Sequence, residues 1–101
     1  MGTEKSIDIR NKMIELLRNE LPVLRAKARV SQEDIAEKIG ISRQTYSSIE
    51  TGKREMSWTI FLALIAYFQN NDSTKQMING IEGFSEGMEI IMGPTGELKG
   101  K

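Results

Sequence analysis

The stretch SQEDIAEKIGISRQTYSSIETGKR, residues 31–54, contains two short amphipathic patterns separated by Gly40. Ser31 and Ser42 precede the two patterns, and a serine at this position caps the free N–H groups of a helix start. Asp34 supplies the reciprocal half of a capping box. A glycine follows each pattern, and glycine readily adopts the left-handed conformation in which many helices end. The sequence therefore predicts two short helices with a very tight connection.

The connection is too short for an antiparallel pair, so the two helices must cross steeply. A small side chain is needed where they touch, and Ala36 provides it. Two apolar residues, Tyr46 and Ile49, hold the second helix against the core and leave its other face free. We expect the hydroxyl group of Tyr46 to reach solvent or a hydrogen-bond partner.

Residues 32–51 resemble, position by position, the helix-turn-helix of the Cro and phage-repressor family, also called Xre-type regulators. The features that carry the resemblance are the opening glutamine, the small residue at the crossing, the glycine turn with its apolar neighbours, the apolar anchors and the loop that follows: Gln32, Ala36, Ile39, Gly40, Ile41, Tyr46, Ile49 and ETGKR. Looser agreement extends over residues 21–68. The resemblance implies a compact, all-α, lambda-repressor-like domain of five to six helices that binds double-stranded DNA.

The free face of the second helix carries side chains that suit base edges. Arginine can bind guanine at two points, glutamine can do the same to adenine, and serine can donate or accept. An exposed polar helix face is by itself ordinary solvated surface. Here the resemblance of residues 32–51 to the helix-turn-helix family favours base contact instead. In the family this helix reads the major groove, which implies base contacts by Arg43, Gln44, Ser47 and Ser48. For Ser47 a sugar, a phosphate or a thymine methyl group is an alternative partner.

A second group of residues suits the DNA backbone. The first helix starts with free N–H groups and a partial positive charge, which favour a phosphate. A glycine followed by two basic residues forms a corner just after the reading helix. The residues expected to contact the backbone are Gln32, Ser42, Thr45, Gly52, Lys53 and Arg54. Such contacts position a protein and make binding salt-sensitive, without specifying sequence.

The composition narrows the possible functions. The chain has 101 residues, zero formal net charge, no cysteine and no histidine. Thiol chemistry, disulfides and histidine-based catalysis or metal binding are therefore absent, and we expect neither an enzyme nor a cofactor or metal. The longest apolar run, IFLALIAYF (residues 60–68), is too short to span a bilayer. We expect no membrane partner and a reducing cytoplasm as the location.

The segment before the helix-turn-helix is predicted to contain two helices. Apolar residues at helical spacing predict an N-terminal extension helix within residues 1–20. Pro22 disfavours helix in the residue before it, so we expect a break or kink near Leu21 and a separate short helix over residues 22–28. Where the family usually has a glycine before its helix-turn-helix, this chain has Arg29, which predicts a tighter or differently shaped connection.

Beyond the reading helix, the patterns predict a fourth helix to about residue 70 and a fifth to about residue 80. The helix-turn-helix domain then covers residues 21–80, and residues 81–101 form a C-terminal tail or dimerisation segment. Within that segment MEIIM (residues 88–92) is either a strand, paired with ELKG after a GPTG turn, or part of a loose tail.

The fourth helix, SWTIFLALIAYF (residues 57–68), is apolar nearly all round and must be covered. One available cover is the N-terminal helix, through Met13, Leu16 and Leu17. The other is the same surface of a second copy. Family members act as twofold dimers on palindromic sites, which implies a homodimer, and the interface candidates are Ile60, Ala63 and Tyr67.

These observations lead to two hypotheses about function. The first is a sequence-specific transcriptional regulator, a repressor that binds a palindromic operator as a dimer. The alternative is the antitoxin of a toxin–antitoxin pair, which binds its own operator and uses the acidic, glycine-rich residues 80–101 to bind a toxin protein.

Overall fold

Six α-helices make up the described part of the chain. The computed structural model describes residues 2–93, with side chains from residue 7 onward. The helices are α1 (Gly2–Ala28), α2 (Gln32–Ile39), α3 (Arg43–Glu50), α4 (Trp58–Gln69), α5 (Lys75–Asn79) and α6 (Phe84–Met92). Residues 2–93 contain no strand. The predicted all-α fold of five to six helices is confirmed, as are the two short helices of the helix-turn-helix.

Helix α1 is the element around which the core forms, since it packs against α3, α4 and α6. The other helix pairs in close contact are α2 with α3, α2 with α4, α4 with α5 and α5 with α6. Every helix contributes to one buried cluster, whose largest fully buried side chains include Met13, Leu17, Leu21, Leu24, Ile35, Tyr46, Ile49, Phe61, Leu64, Phe68 and Ile78. None of the described helices combines the length and the apolar character needed to cross a membrane.

The N-terminal segment is one continuous helix, and the predicted break near Leu21 is wrong, as is the separate helix over residues 22–28. Pro22 lies inside α1. On one face of this helix, four apolar side chains at helical spacing are at most 1% exposed: Met13, Leu17, Leu21 and Leu24. Burying each contributes about 1.5–3 kcal/mol. Together they outweigh the cost of about 3 kcal/mol for a proline in a helix.

The first three helices end in the same hydrogen-bonded turn, a Schellman motif. A residue with positive φ follows each helix: Arg29 at 61° and Gly40 at 84° come directly after α1 and α2, and Gly52 at 86° comes after α3 and its cap residue Thr51. At the end of α1, the N–H of Val30 donates to the carbonyl of Arg25 at 3.1 Å. The expectation of a tighter or differently shaped connection at Arg29 is therefore wrong, because the arginine itself adopts the left-handed conformation that glycine adopts at the ends of the other two helices.

The apolar helix α4 is covered on one side by α1 and α6. Trp58 stacks on Phe61 with ring centroids 4.5 Å apart, and the Arg10 guanidinium lies 5.1 Å from the centre of the Trp58 ring. From α6, Phe84 packs at 6.2 Å against Phe61. Of the α1 residues expected to form this cover, Met13 and Leu17 are buried and Leu16 is half-buried. The dimer candidates Ile60, Ala63 and Tyr67 remain half-buried.

The C-terminal part of the described chain is helical, so the predicted strand over residues 88–92 is wrong. Those residues belong to α6, which packs on α1 where Gly87 meets Met13. A methyl group on Gly87 would overlap the Met13 sulfur atom. The absent side chain thus allows the two helices to approach closely. The ELKG segment and most of the GPTG turn lie outside the described residues.

Candidate nucleic-acid interface

Side-chain caps fix where α2 and α3 begin. The Ser31 hydroxyl accepts from the Asp34 N–H at 3.0 Å, and the Asp34 carboxylate accepts from the Ser31 N–H at 3.1 Å. Ser42 caps α3 in the same way, accepting from the Thr45 N–H at 3.0 Å. The backbone hydrogen bond from Ser31, followed by its hydroxyl group, lowers the pKa of Asp34. The capping box predicted from the sequence is confirmed.

Helices α2 and α3 pack against each other, and the small residue and the anchor predicted for this contact are both buried. Ala36 is 2% exposed and Ile49 is fully buried. The N–H of Ile41 donates to the Ala36 carbonyl at 3.0 Å, which closes the turn after Gly40. Since α3 is held by its buried face alone, the opposite face is open.

The open face of α3 carries the four residues predicted to read bases. Arg43 and Gln44 are exposed at the N-terminal end of the helix, and Ser47 and Ser48 follow one turn later, half-buried. Positions 43, 44, 47 and 48 form one continuous ridge on an α-helix. The ridge combines a guanidinium, an amide and two hydroxyl groups, which is a set able to distinguish base pairs in the major groove.

The residues predicted to contact phosphates lie at the two ends of this ridge. Ser42, Gly52, Lys53 and Arg54 are exposed, and Thr45 is half-buried. The Ser42 hydroxyl also donates to the Thr45 hydroxyl at 2.9 Å, so these two side chains already bond each other at the helix start. The side-chain amide of Gln32 donates to a Glu50 carboxylate oxygen at 3.4 Å. Its contact with a phosphate stays a prediction.

An ion pair that the sequence did not reveal ties α1 to α3. The Arg25 guanidinium donates to both Glu50 carboxylate oxygens, at 3.0 and 3.1 Å. The side chains are 20% and 6% exposed, respectively. The hydrogen bond to Glu50 raises the pKa of Arg25. Glu50 was visible as the acid of the loop motif, but no local pattern pointed to a partner 25 residues away.

The Tyr46 hydroxyl lies in the interior beside this ion pair. It is fully buried, and among the described residues it has no hydrogen-bond partner. The expectation that it reaches solvent or a partner is wrong. Burial, followed by the neighbouring Glu50 carboxylate, raises the pKa of Tyr46, so the phenol is held in its neutral form.

Comparison with known proteins agrees with this geometry. Residues 16–73 match the model of a family described as a helix-turn-helix domain. The chain is also 38% identical over 52 residues to a protein of Methanocaldococcus jannaschii named as an uncharacterized HTH-type transcriptional regulator, covering 52% of this chain and 79% of the relative. No solved structure matches the chain.

A helix-turn-helix domain with an open face on α3 defines a DNA-binding regulator of transcription. This chain belongs to the helix-turn-helix domain family, as its resemblance to the Xre-type regulators predicted.

Proposed function

We propose that this chain binds a specific operator sequence as a twofold dimer and represses transcription by occluding the promoter. The single observation that carries the proposal is the ridge of Arg43, Gln44, Ser47 and Ser48 on the open face of α3. A ridge of this chemistry, on a helix anchored only by its opposite face, is what major-groove reading requires. The role is binding without catalysis, and it is exerted on DNA in the cytoplasm.

Affinity and specificity come from different residues in this proposal. Lys53 and Arg54, exposed just after α3, supply charge for phosphates, and Gly52 lets the backbone approach closely. These contacts release counterions and bind all duplexes alike. Arg43 and Gln44 discriminate between base pairs.

The proposed dimer uses the outer side of α4. Ile60, Ala63 and Tyr67 are half-buried, and Ala66 is exposed. Ala63, Ala66 and Tyr67 line a shallow depression against α2, together with Ile39. A second copy packed here would remove this apolar surface from water. Two copies would place two reading helices about one helical turn of DNA apart.

Selection of bound sequences from random duplexes tests the base-reading assignment. The wild-type chain should enrich a palindrome. Arg43→Ala should lose preference at one or two base pairs, at a cost of about 1–3 kcal/mol. Lys53→Ala should weaken all sequences alike and flatten the dependence of affinity on salt. Lys75→Ala removes a charge from α5, away from the ridge, and serves as the control. If no sequence is enriched, the base-reading assignment fails.

The dimer has its own test. Sedimentation of the wild-type chain should show a dimer, whereas Tyr67→Glu, which places a charge on the proposed interface, should sediment as a monomer. The monomer should also lose the preference for two half-sites while retaining preference for one. A wild-type chain that is monomeric both free and on DNA contradicts the dimer but leaves base reading intact.

One observation favours the second candidate, an antitoxin. The large exposed apolar side chains include Ile90 and Met92, at 62% and 51%, both near the end of α6. Such residues suit a protein partner at the C-terminal end. Coexpression with the product of a neighbouring gene should then yield a stable complex that Ile90→Asp disrupts while DNA binding persists. If no complex forms with that product, the antitoxin role is excluded.

A further inference from the structure

Helix α1 brings a basic side chain to the loop that follows the reading helix. Arg18 lies one position beyond the buried Leu17, and its side chain is 32% exposed. Its guanidinium lies against Gly52, because a methyl group on that glycine would be only 3.2 Å from the Arg18 Nη1 atom. The Arg18 guanidinium and the loop backbone at Gly52 therefore lie close together.

Gly52 suits this close approach. Its φ of 86° favours glycine, and without a side chain it leaves room for the Arg18 guanidinium beside the loop. Lys53 and Arg54, the two residues after it, are exposed. Positive groups from two elements far apart in sequence thus meet beside the end of α3.

An open cavity lies at this meeting point. Its volume is about 300 Å³, and it is lined by Arg18 and Asn11 from α1 and by Gly52 and Arg54 from the loop. A DNA phosphate carries one negative charge and two non-bridging oxygens. The guanidinium groups of Arg18 and Arg54 and the side-chain amide of Asn11 can all donate hydrogen bonds to such oxygens. Ile14 and Met56 form the apolar part of the lining.

Two carboxylates also line the cavity, and they must be accounted for. Glu15 is 67% exposed, and its Oε2 atom lies 3.9 Å from the Arg18 Nη2 atom. So long and exposed an ion pair contributes little and is readily exchanged for another anion. Glu55 is exposed as well. In the free protein Glu15 therefore holds Arg18 only weakly.

We propose that Arg18 binds a DNA phosphate next to the phosphate contacts of Lys53 and Arg54, so that α1 forms part of the DNA interface. The inference rests on the proposed DNA-binding function and deepens it. The phosphate replaces Glu15 as the partner of the Arg18 guanidinium. The interface then spans the chain from α1 to the loop after α3, and binding carries one more phosphate contact than the helix-turn-helix alone supplies.

Arg18→Gln tests the contact on the duplex selected by the wild-type chain. The matched control is Lys12→Gln, which removes one positive charge from the same helix on the side that faces α6. We expect Arg18→Gln to bind about 5- to 10-fold more weakly at moderate salt and to lower the salt slope by about 0.9, equally for all sequences. Lys12→Gln should bind like the wild type.

A second variant should change DNA affinity in the opposite direction. Glu15→Gln removes the competing carboxylate and should bind the same duplex about 2- to 3-fold more tightly, since Arg18 no longer has to leave an ion pair. Circular dichroism should show all three variants folded. If Arg18→Gln matches Lys12→Gln and Glu15→Gln matches the wild type, the Arg18 contact is overturned and the proposed function stands. If the wild-type chain itself binds no duplex, the proposed function fails first.

Discussion

The helix-turn-helix differs from the first and last described helices, α1 and α6, in how its helices are specified. In the helix-turn-helix, α2 and α3 each begin after a capping serine, and a glycine with positive φ follows each helix within two residues. Helix α1 instead continues through Pro22 and ends before an arginine in the left-handed conformation. Helix α6 starts after Gly83 with no side-chain cap.

The positions of α2 and α3 are set by residues at their own ends, whereas those of α1 and α6 are set by contacts with other helices. A capped helix can be located from its own few residues, because the caps satisfy the free backbone groups at its ends. Helices α1 and α6 exist where they do because of what they touch: α1 buries a row of apolar side chains, and α6 packs Gly87 against Met13. Four substitutions test this difference, and their expected effect on stability decreases from Arg25 to Gly87, Arg29 and Asp34.

The largest effect is expected from the contact that joins the two regions. Arg25→Ala leaves the Glu50 carboxylate, 6% exposed, without its charged partner and with only the 3.4 Å hydrogen bond from Gln32, beside the buried Tyr46 hydroxyl. The free energy of unfolding should fall by about 3 kcal/mol, because a buried charge without a partner is strongly destabilising. Urea denaturation measures the change.

The matched control for this variant is the double substitution Arg25→Ala with Glu50→Ala. Removing both charges should cost clearly less than the sum of the single substitutions. Strictly additive costs would show that the two side chains do not stabilise each other across α1 and α3.

Next in size is the packing of α6. Gly87→Leu places a large side chain where Met13 already fills the space, and overpacking of this kind costs about 2 kcal/mol. Thermal unfolding measures the loss. Ser85→Leu, at an exposed position of the same helix, is the control and should change stability little. DNA affinity of the folded Gly87→Leu protein should be unchanged, and a loss of affinity would contradict the separation of α6 from the reading face.

A smaller change in the free energy of unfolding, this time an increase, should come from placing a glycine after α1, as occurs after α2 and α3. Arg29→Gly relieves a side chain from a φ of 61° and should raise the free energy of unfolding by about 1 kcal/mol. Arg29→Ala is the control, because it removes the charge but keeps the Cβ atom and its strain. Equal stability of the two variants would show that charge, not backbone conformation, matters at this position.

The smallest effect is expected from weakening a local signal of α2. Asp34→Asn removes the charge from the capping box. The pKa of Asp34 is lowered below its ordinary value of 3.8 by the bonds from Ser31. The carboxylate therefore stabilises the fold above that value, and the contribution is lost as pH falls through the lowered pKa.

Unfolding measured along a pH titration checks this sign. Wild type and Asp34→Asn should differ most near neutral pH and converge in strong acid. Glu37→Gln, which removes an exposed acid of the same helix outside the cap, is the matched control. A difference between wild type and Asp34→Asn that grows toward acid would contradict the assignment.

The same contrast explains what the sequence could predict. Ser31, Gly40 and Ser42 act within one helical turn of themselves, so α2, α3 and the ridge on α3 followed from neighbouring residues. The continuity of α1 through Pro22 did not, because it depends on the burial of Leu17, Leu21 and Leu24 against other helices. The helical state of residues 88–92 depends likewise on packing against α1.

Within the site, the missed features are those that join distant parts of the chain. The pairing of Arg25 with Glu50 and the placement of Arg18 against Gly52 each link α1 to the end of α3. Periodicity and caps carry no information about such pairs. The base and phosphate contacts, on exposed and half-buried residues, stay predictions.

The single tryptophan has a practical consequence. Trp58 lies between the Arg10 cation of α1 and the Phe61 ring of α4, and it is half-buried. Its indole fluorescence therefore depends on whether the N-terminal half of α1 remains docked. Emission would shift to longer wavelength as water reaches the ring. Intrinsic fluorescence can therefore report undocking of the N-terminal half of α1 without an attached label.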